Sequence, residues 1–223
     1  ILLLFLGCTP TQGGAIGEAA EQTFEYVSRN ISSASESSRG STVKIYAYTR
    51  NGTQVSGSGA YVKYKNHHFV LTAAHVVADG TTALVVSGDE KIISDVVYID
   101  ALADIAVLRV EGFFTRKPLH WSKSKARVGT RTLYTGFPNR FDHLTIHGIV
   151  SGFKDGYIVL HSYAWSGSSG SVVLDERGRI VGIVSAIDVG IVPGLFPQLI
   201  EDIVLVSPIH SLKEEDLIRC LSS

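Results

Sequence analysis

The 223-residue sequence contains no methionine and only two cysteines, Cys8 and Cys220. Two cysteines cannot form the dense disulfide framework of small secreted domains, so the fold must be stabilised by a hydrophobic core. No apolar run approaches the roughly 20 residues that a membrane-spanning helix needs. The net charge is −1 and the sequence has no basic cluster. The usual signature of a nucleic-acid-binding protein is therefore absent.

The first eight residues resemble the end of a bacterial lipoprotein signal peptide, in which an apolar core is followed by a small residue and a cysteine. This resemblance implies that residues 1–7 are removed and that Cys8 is lipidated, although Leu6 stands where a small residue is preferred. The alternative is the end of an ordinary secretory signal. Both interpretations predict an exported protein, either a membrane-anchored lipoprotein of a bacterial envelope or a secreted or periplasmic protein. Without a methionine or a basic leader, we expect the true start to lie upstream.

The composition favours an all-β fold. Hydrophobic residues make up 45% of the chain and charged residues 18%, which is enough apolar surface for a sizeable core. The 22 glycines, together with many Val, Ile, Tyr and Thr residues, favour short strands joined by tight turns. Before these strands, residues 17–30 have the apolar spacing of a short amphipathic helix. Residues 32–41 are rich in serine and predict a flexible tether, so the folded body is expected to begin near Thr42.

Strand patterns fall into two sets of six, separated by a connector. Two equal sets predict either two packed barrels or one sandwich, and periodicity alone does not distinguish the two. If the two sets form barrels, the first spans about residues 42–112 and the second about 128–207, and a closing helix is expected at about 210–221. The predicted strands are 42–49, 55–64, 69–73, 82–87, 91–99, 105–110, 131–135, 144–153, 157–163, 171–175, 179–186 and 204–207.

Three short segments each supply one group of a possible catalytic triad. His75 follows one apolar run, Asp104 precedes a second, and Ser169 lies within Gly167-Ser168-Ser169-Gly170-Ser171. A serine hydroxyl is a poor nucleophile at neutral pH, so it needs an imidazole to accept its proton and a carboxylate to hold that imidazole in one tautomer. The order His, Asp, Ser is one of the few that natural triads use. The segments therefore predict nucleophilic catalysis.

Each candidate has a simpler interpretation. A lone histidine after a strand is usually structural, an aspartate before a strand usually caps it, and serine–glycine strings are common in loops. Competing candidates lie nearby, but among the serines only Ser169 has a glycine two residues before and one after, and the rival carboxylates lie outside the segment around Asp104. A metal site at the adjacent His67 and His68 is disfavoured, because neighbouring strand residues point to opposite faces. The rival nucleophiles are Ser166 and Ser168, and the rival carboxylates are Asp89, Asp95 and Asp100.

The three segments, in this order, resemble those of the trypsin-like (chymotrypsin-fold) serine peptidases, and the bacterial HtrA-type branch more closely than the digestive one. The resemblance covers about residues 42–221 and implies two six-stranded antiparallel β-barrels with a C-terminal helix, preceded here by a short N-terminal helix. It implies no cofactor and no metal. The segments that carry it are 72–77, 103–108, 167–171, 182–187 and the glycine-rich 57–59.

The resemblance also implies roles for further residues. The backbone N–H groups of Gly167 and Ser169 form the oxyanion hole. Two departures stand in this motif: Ser168 replaces the usual Asp or Asn, which argues against activation by a new amino terminus, and Ser171 replaces a glycine. Because the chain ends soon after the second strand set, we expect the peptide-binding PDZ module of many HtrA proteins to be absent.

The expected partner is a polypeptide substrate. By the family's layout, the base of the substrate pocket lies near Tyr163 and Ala164, and one wall is formed by Ser185, Ala186 and Ile187. None of these is acidic, and Ile187 narrows the entrance, so cleavage is expected after small or medium aliphatic residues. Two alternatives remain open: a catalytically inactive trypsin-like fold that serves as an exported binding scaffold, and an unrelated β-sandwich adhesin.

Overall fold

A computed structural model describes residues 13–49, 51–77, 80–111, 116–139, 141–190 and 198–222. The chain forms a long helix, a first set of strands, a second set of strands and a closing helix, in that order. The elements are α1 (Gly13–Ser41), β1 (Thr42–Tyr48), β2 (Gln54–Tyr64), β3 (His67–Thr72), α2 (Ala74–Val77), β4 (Thr82–Ser87), β5 (Glu90–Asp100), β6 (Ile105–Arg109), β7 (Leu119–His120), β8 (Arg131–Gly136), β9 (Leu144–Lys154), β10 (Tyr157–His161), β11 (Val172–Asp175), β12 (Ile180–Gly190), β13 (Gln198–Pro208) and α3 (Glu214–Ser222).

The first barrel is closed by six antiparallel strands. Its strand order is β1-β4-β5-β6-β3-β2, and the pairing of β1 with β2 closes it. The two-residue strand β7 adds to β2 in parallel orientation. Apolar residues fill the interior, and the largest fully buried side chains include Ile45, Tyr61, Phe69, Leu71 and Leu108. Burial alternates along β1 and β4, as in half-buried strands, whereas β3 and β6 are short apolar runs that are mostly buried.

The second barrel is also closed by six antiparallel strands, in the order β10-β13-β12-β11-β8-β9. Its own core includes Tyr134, Val150, Leu160, Val173 and Val206. The expected fold of two six-stranded barrels is therefore confirmed, and the sandwich alternative is wrong. Closure leaves neither barrel with a free edge in its ring of strands, which a sandwich cannot achieve. Strands β12 and β13 are longer than the sequence pattern predicts.

The N-terminal helix differs from the expectation. The predicted tether at residues 32–41 is not a separate flexible segment, because α1 runs without interruption from Gly13 to Ser41. Its last turns pack on the body of the protein: Ala34 and Ser38 are buried, and the Ser38 hydroxyl donates to Thr135 Oγ1 at 2.8 Å. Serine is a mediocre helix former in isolation, but tertiary contacts override its propensity.

The closing helix α3 begins at Glu214, slightly later than expected, because residues 209–211 form a short 3₁₀ turn. Leu217 and Leu221 are buried against the first barrel, and Arg109 Nη2 donates to the carbonyl of Cys220 at 2.9 Å. Partial burial raises the pKa of the Cys220 thiol, which donates to the Leu217 carbonyl. None of the helices within the described residues is both long enough and apolar enough to cross a bilayer.

Candidate active site

His75 and Asp104 come from neighbouring elements of the first barrel. His75 lies in the short helix α2 just after β3, and Asp104 lies in the turn that joins β5 to β6. The imidazole Nδ1 is 2.9 Å from Asp104 Oδ2 and 3.1 Å from Oδ1. With Nδ1–H donating to the carboxylate, Nε2 is the unprotonated nitrogen of a neutral ring. The His75 side chain is 49% exposed, so a proton acceptor is presented at the surface.

The Asp104 carboxylate is buried and well bonded, since the residue is only 8% exposed. Burial alone raises the pKa of the carboxyl group, but hydrogen bonds from the His75 ring, the Ser185 hydroxyl and the His75 backbone N–H outweigh it. The net result is an Asp104 pKa below its ordinary value. The carboxylate is therefore ionised at neutral pH, which suits a group that must stabilise an imidazolium.

The backbone at Asp104 adopts an uncommon conformation, with φ of +52°. Aspartate tolerates this left-handed region better than most residues do. Nearby, the rival Asp100 has a structural role, because its Oδ1 accepts hydrogen bonds from the backbone N–H groups of Leu102 and Ala103. The turn shaped by Asp100 thus presents the carboxylate of Asp104 to the histidine.

Residues 163–171, here called the serine loop, bring Ser169 against the same region. The carbonyl of Ser169 accepts a hydrogen bond from the Ser58 N–H at 2.8 Å. Gly57 lies between this carbonyl and Val76, the residue after His75. A Cβ atom at position 57 would lie 2.9 Å from Ser169 O and 2.7 Å from Val76 Cγ2, so a larger residue there would collide with both. On the other side, Gly170 N–H donates to the Val184 carbonyl at 2.8 Å, next to Ser185.

Gly170 is required at its position for two reasons. Its φ is +87°, and a Cβ there would collide with the Ser58 carbonyl and the Thr72 hydroxyl. Only glycine combines this φ with such a close approach to neighbouring backbone. The serine loop therefore packs directly on the end of β3, three residues before His75.

The rival nucleophiles have other surroundings. Ser168 is fully buried, and its hydroxyl accepts a hydrogen bond from the Trp165 N–H at 3.3 Å. Ser166 is exposed, and its carbonyl accepts from the Asn139 N–H at 2.6 Å. Ser169 is partly exposed. Burial removes Ser168 from contact with a substrate.

The backbone of the serine loop also offers hydrogen-bond donors. Within the described residues, neither the Gly167 N–H nor the Ser169 N–H donates to another backbone group. Gly167 has a φ of +95°, and its carbonyl accepts from the Ser58 hydroxyl at 2.6 Å. Two N–H groups flanking a nucleophile can stabilise a developing oxyanion if they point at it.

The residues expected to form the substrate pocket lie around the serine loop and β12. Tyr163 is 57% exposed, its ring stacks on Trp165 with centroids 6.3 Å apart, and its carbonyl accepts from the Tyr134 hydroxyl. Ala164 packs against the core of the second barrel. Burial raises the pKa of Tyr134, so its hydroxyl stays protonated as a donor.

The expected wall on β12 has mixed surroundings. The Ser185 hydroxyl is bonded to Asp104, so this side chain supports the His75–Asp104 pair rather than facing a pocket. Ala186 is exposed. Ile187 is partly buried and pairs across the sheet with the buried Val204 of β13. Val204 belongs to the core of the second barrel, so this pair stabilises the sheet.

Two residues that support the site, Ser185 and Ser58, were not predicted from the sequence. The role of Ser185 was hidden because its segment resembles a pocket wall, and that of Ser58 because it lies in a strand between two glycines. The glycines on both sides of Ser58 permit the close approach of another segment, but the burial of the hydroxyl and the identity of its partner are not visible in the sequence. Cys8 lies outside the described residues. Among those described, no three His, Cys, Asp or Glu side chains are grouped as a metal site requires.

Two closed antiparallel barrels, with a histidine–aspartate pair beside a serine-containing loop, define the class of chymotrypsin-fold proteins. A family model described as the trypsin-like peptidase domain matches residues 57–183, which is more than half of the chain. The chain therefore belongs to the trypsin-like peptidase family.

Proteins with similar sequences carry protease names. A "Probable periplasmic serine endoprotease DegP-like" of Pseudomonas putida (strain GB-1) is 30% identical over 172 residues, which cover 73% of this chain and 34% of that protein. A "Serine protease Do-like HtrA" of Lactococcus lactis subsp. lactis is 24% identical over 157 residues, which cover 61% of this chain and 38% of that protein. The chain spans little more than a third of the length of these relatives.

A solved structure has the same fold. The serine endoprotease from Yersinia pestis superposes with a TM-score of 0.65 at 20% sequence identity, and the match covers 85% of this chain and 66% of that one. At this identity the likeness shows the fold alone, and it agrees with the arrangement of two barrels.

Proposed function

We propose that this protein is a serine endopeptidase in which Ser169, His75 and Asp104 form the catalytic triad. The observation that carries the proposal is the hydrogen bond between His75 Nδ1 and the buried Asp104 carboxylate, 2.9 Å long, beside the loop that contains Ser169. This bond fixes the imidazole tautomer that a general base needs. The protease names of the relatives support the same reaction class.

In the proposed reaction, Ser169 Oγ attacks the carbonyl carbon of a peptide bond while His75 Nε2 takes the hydroxyl proton. The oxyanion is stabilised by the N–H groups of Gly167 and Ser169. His75 then donates its proton to the leaving amine, and an acyl-enzyme on Ser169 remains. A water molecule, deprotonated by His75, hydrolyses the ester and restores the serine. Asp104 stabilises the imidazolium in both halves of the cycle, and no cofactor takes part.

The proposed substrates are polypeptides cleaved after small or medium aliphatic residues. Support comes from the side chains expected at the pocket, none of which is a carboxylate. A basic side chain of the substrate needs a buried carboxylate partner to offset its desolvation. Profiling with a peptide library tests this preference, and cleavage mainly after Lys or Arg would contradict it.

The proposed location is outside the cytoplasm, with a lipid on Cys8 as anchor. The name of the Pseudomonas putida relative includes the word periplasmic, which supports export. When the chain is expressed with an upstream signal peptide and fed a labelled fatty acid, we expect the label in the wild-type chain and none in Cys8→Ser. Cys220→Ser is the matched control and keeps the label. Equal labelling of wild type and Cys8→Ser would contradict the anchor but not the peptidase function.

Labelling by a fluorophosphonate tests the triad, because this probe reacts with an activated serine. We expect the wild-type chain to be labelled and to cleave peptides, and Ser169→Ala to do neither. Ser166→Ala is the matched control, since it removes an exposed hydroxyl three residues away and should leave both readouts within about two-fold. Turnover by Ser169→Ala contradicts the assignment. A folded wild-type chain with neither labelling nor turnover supports the alternative of a binding scaffold.

A further inference from the structure

Ser58 has a hydroxyl group in an unusual position. It lies in β2 between Gly57 and Gly59, its side chain is fully buried, and its Oγ makes two hydrogen bonds outside its own barrel. The hydroxyl donates to the Gly167 carbonyl at 2.6 Å and accepts from the Phe137 N–H at 3.0 Å. A buried hydroxyl that is used fully as donor and acceptor is a fixed connection rather than a rotating group.

The backbone of Ser58 reaches the same loop. Its N–H donates to the Ser169 carbonyl at 2.8 Å, and its own carbonyl accepts from the Thr72 hydroxyl at 2.8 Å. One residue of the first barrel thus holds the carbonyl groups of both Gly167 and Ser169. A carbonyl shares its peptide plane with the N–H of the next residue, so these bonds fix the peptides that follow Gly167 and Ser169. The proposed oxyanion donors, the N–H groups of Gly167 and Ser169, lie in the preceding peptides and are linked to the fixed ones through the Cα of the same residue.

The peptide that precedes Gly167 is held by a second contact. The Ser166 carbonyl accepts from the Asn139 N–H at 2.6 Å. In a planar trans peptide the N–H points away from the carbonyl, so this bond directs the Gly167 N–H away from Asn139. Phe137 and Asn139 belong to the same short loop after β8. The Ser58 hydroxyl links this loop to Gly167 as well, because it accepts from the Phe137 N–H and donates to the Gly167 carbonyl.

We infer that Ser58 is a positioning residue: its hydroxyl fixes the peptide that follows Gly167, and together with the Asn139 bond to the preceding peptide this keeps the Gly167 N–H in the orientation that an oxyanion requires. The inference rests on the proposed function. Glycine accepts many backbone conformations, so the sequence of the serine loop alone does not select one orientation of this peptide. The bonds from Ser58 and Asn139 supply that selection. Oxyanion donors contribute to rate only when they are held in place before the reaction.

The chain offers a matched control for a buried hydroxyl. Ser171 is also fully buried, lies two residues after Ser169, and its Oγ has no hydrogen-bond partner among the described residues. Ser171→Ala therefore removes the same group from the same region without cutting a bond. A difference between Ser58→Ala and Ser171→Ala reports the bonds of the Ser58 hydroxyl and not the loss of an oxygen atom.

The test compares steady-state kinetics of the full chain and its variants on one peptide substrate. For Ser58→Ala we expect kcat to fall about 10-fold to 100-fold, somewhat less than the loss of a direct oxyanion donor, with KM within about two-fold. A peptide boronic acid, whose adduct with the serine uses the oxyanion hole, should bind more weakly by the same factor. Ser171→Ala should match the wild type in all three measurements. Ser58→Cys, with a weaker donor of similar size, should have an intermediate kcat.

Four results overturn the inference, and only the first also overturns the proposed function. A wild-type chain without turnover overturns the proposed function and this inference with it. An active wild type, with kcat of Ser58→Ala within two-fold of it, overturns the role of Ser58 alone. If Ser58→Ala does not show a thermal unfolding transition, the Ser58→Cys variant is used instead. A Ser58→Cys variant with the kcat and boronic acid affinity of the wild type would contradict the inference. An equal loss in Ser58→Ala and Ser171→Ala also contradicts it.

Discussion

His75 and Asp104 are joined by two contacts of different kinds. The ring nitrogen Nδ1 is 2.9 Å from Oδ2, and the backbone N–H of His75 donates to Oδ1 at 2.9 Å. One carboxylate thus fixes both the ring and the first turn of the helix that carries it. A carboxylate held at both oxygens has little freedom to rotate, so the imidazole is oriented before any substrate arrives.

Replacement of Asp104 by asparagine tests this relationship. An asparagine amide group can bond Nδ1 in the wrong tautomer, which leaves Nε2 protonated and unable to act as a base. We expect kcat to fall on the order of 10⁴-fold. The measurement is the rate of peptide hydrolysis at neutral pH. Asp95→Asn is the control, because Asp95 is exposed on β5 and should retain activity within about two-fold. A loss under 10-fold in Asp104→Asn would contradict the role of the carboxylate.

The twelve long strands could be predicted because their segments are short, apolar and β-prone, and are bounded by turn residues. Their pairing could not be predicted from periodicity, since alternation fixes which face of a strand is buried but not its neighbour in the sheet. The family resemblance, not the spacing, distinguished barrels from a sandwich. The two-residue strand β7 pairs in parallel with β2 and is too short to give any periodic signal.

For the candidate site, the sequence predicted the groups but not their supports. His75 and Asp104 lie in segments that resemble those of the trypsin-like peptidases. The resemblance therefore implied that the two side chains are in contact. The bonds of Ser58 and Ser185 depend on which loop packs on which strand. That information is contained in long-range contacts, such as Ser58 with Gly167, 109 residues apart. A lone serine in a strand has no local feature that reveals such a partner.

The serine-rich end of α1 gives a second prediction. The Ser38 hydroxyl is buried and donates a hydrogen bond to Thr135 Oγ1, which links the helix to β8. We expect Ser38→Ala to lower the free energy of unfolding by about 1 kcal/mol, because Thr135 loses a buried partner. Ser37→Ala is the control. Ser37 is exposed on the same helix, and alanine there should leave stability equal or slightly higher. Urea unfolding measures both, and equal stability of the two variants would contradict the docking of α1.

Asp175 gives a prediction about acid stability. Its carboxylate is buried at the end of β11 and accepts from Ser124 Oγ at 2.8 Å, from Arg179 Nε at 2.9 Å, and from the N–H groups of Arg177 and Arg179 at 3.0 Å. Burial raises the pKa of this carboxyl group. The hydrogen bonds, led by those from Arg179, together outweigh burial and leave the pKa below its ordinary value. A carboxyl whose pKa is lowered by folding stabilises the native state above its unfolded pKa, near 3.9, and loses that contribution as the pH falls through the folded value.

We therefore expect Asp175→Asn to cost about 1–3 kcal/mol at pH 7, toward the lower end because the Arg179 side chain is 43% exposed and its charge is screened. The cost should shrink as the pH falls below the unfolded pKa, near 3.9, because the unfolded carboxyl takes up a proton first, and the contribution is lost as the pH passes through the lower folded pKa. Urea unfolding at pH 7 and pH 3 measures the two differences. Asp155→Asn, at an exposed hairpin turn, is the control and should show no such trend. A cost that is the same at both pH values would mean that the charge of Asp175 contributes nothing, and that the end of β11 is held by its neutral hydrogen bonds alone.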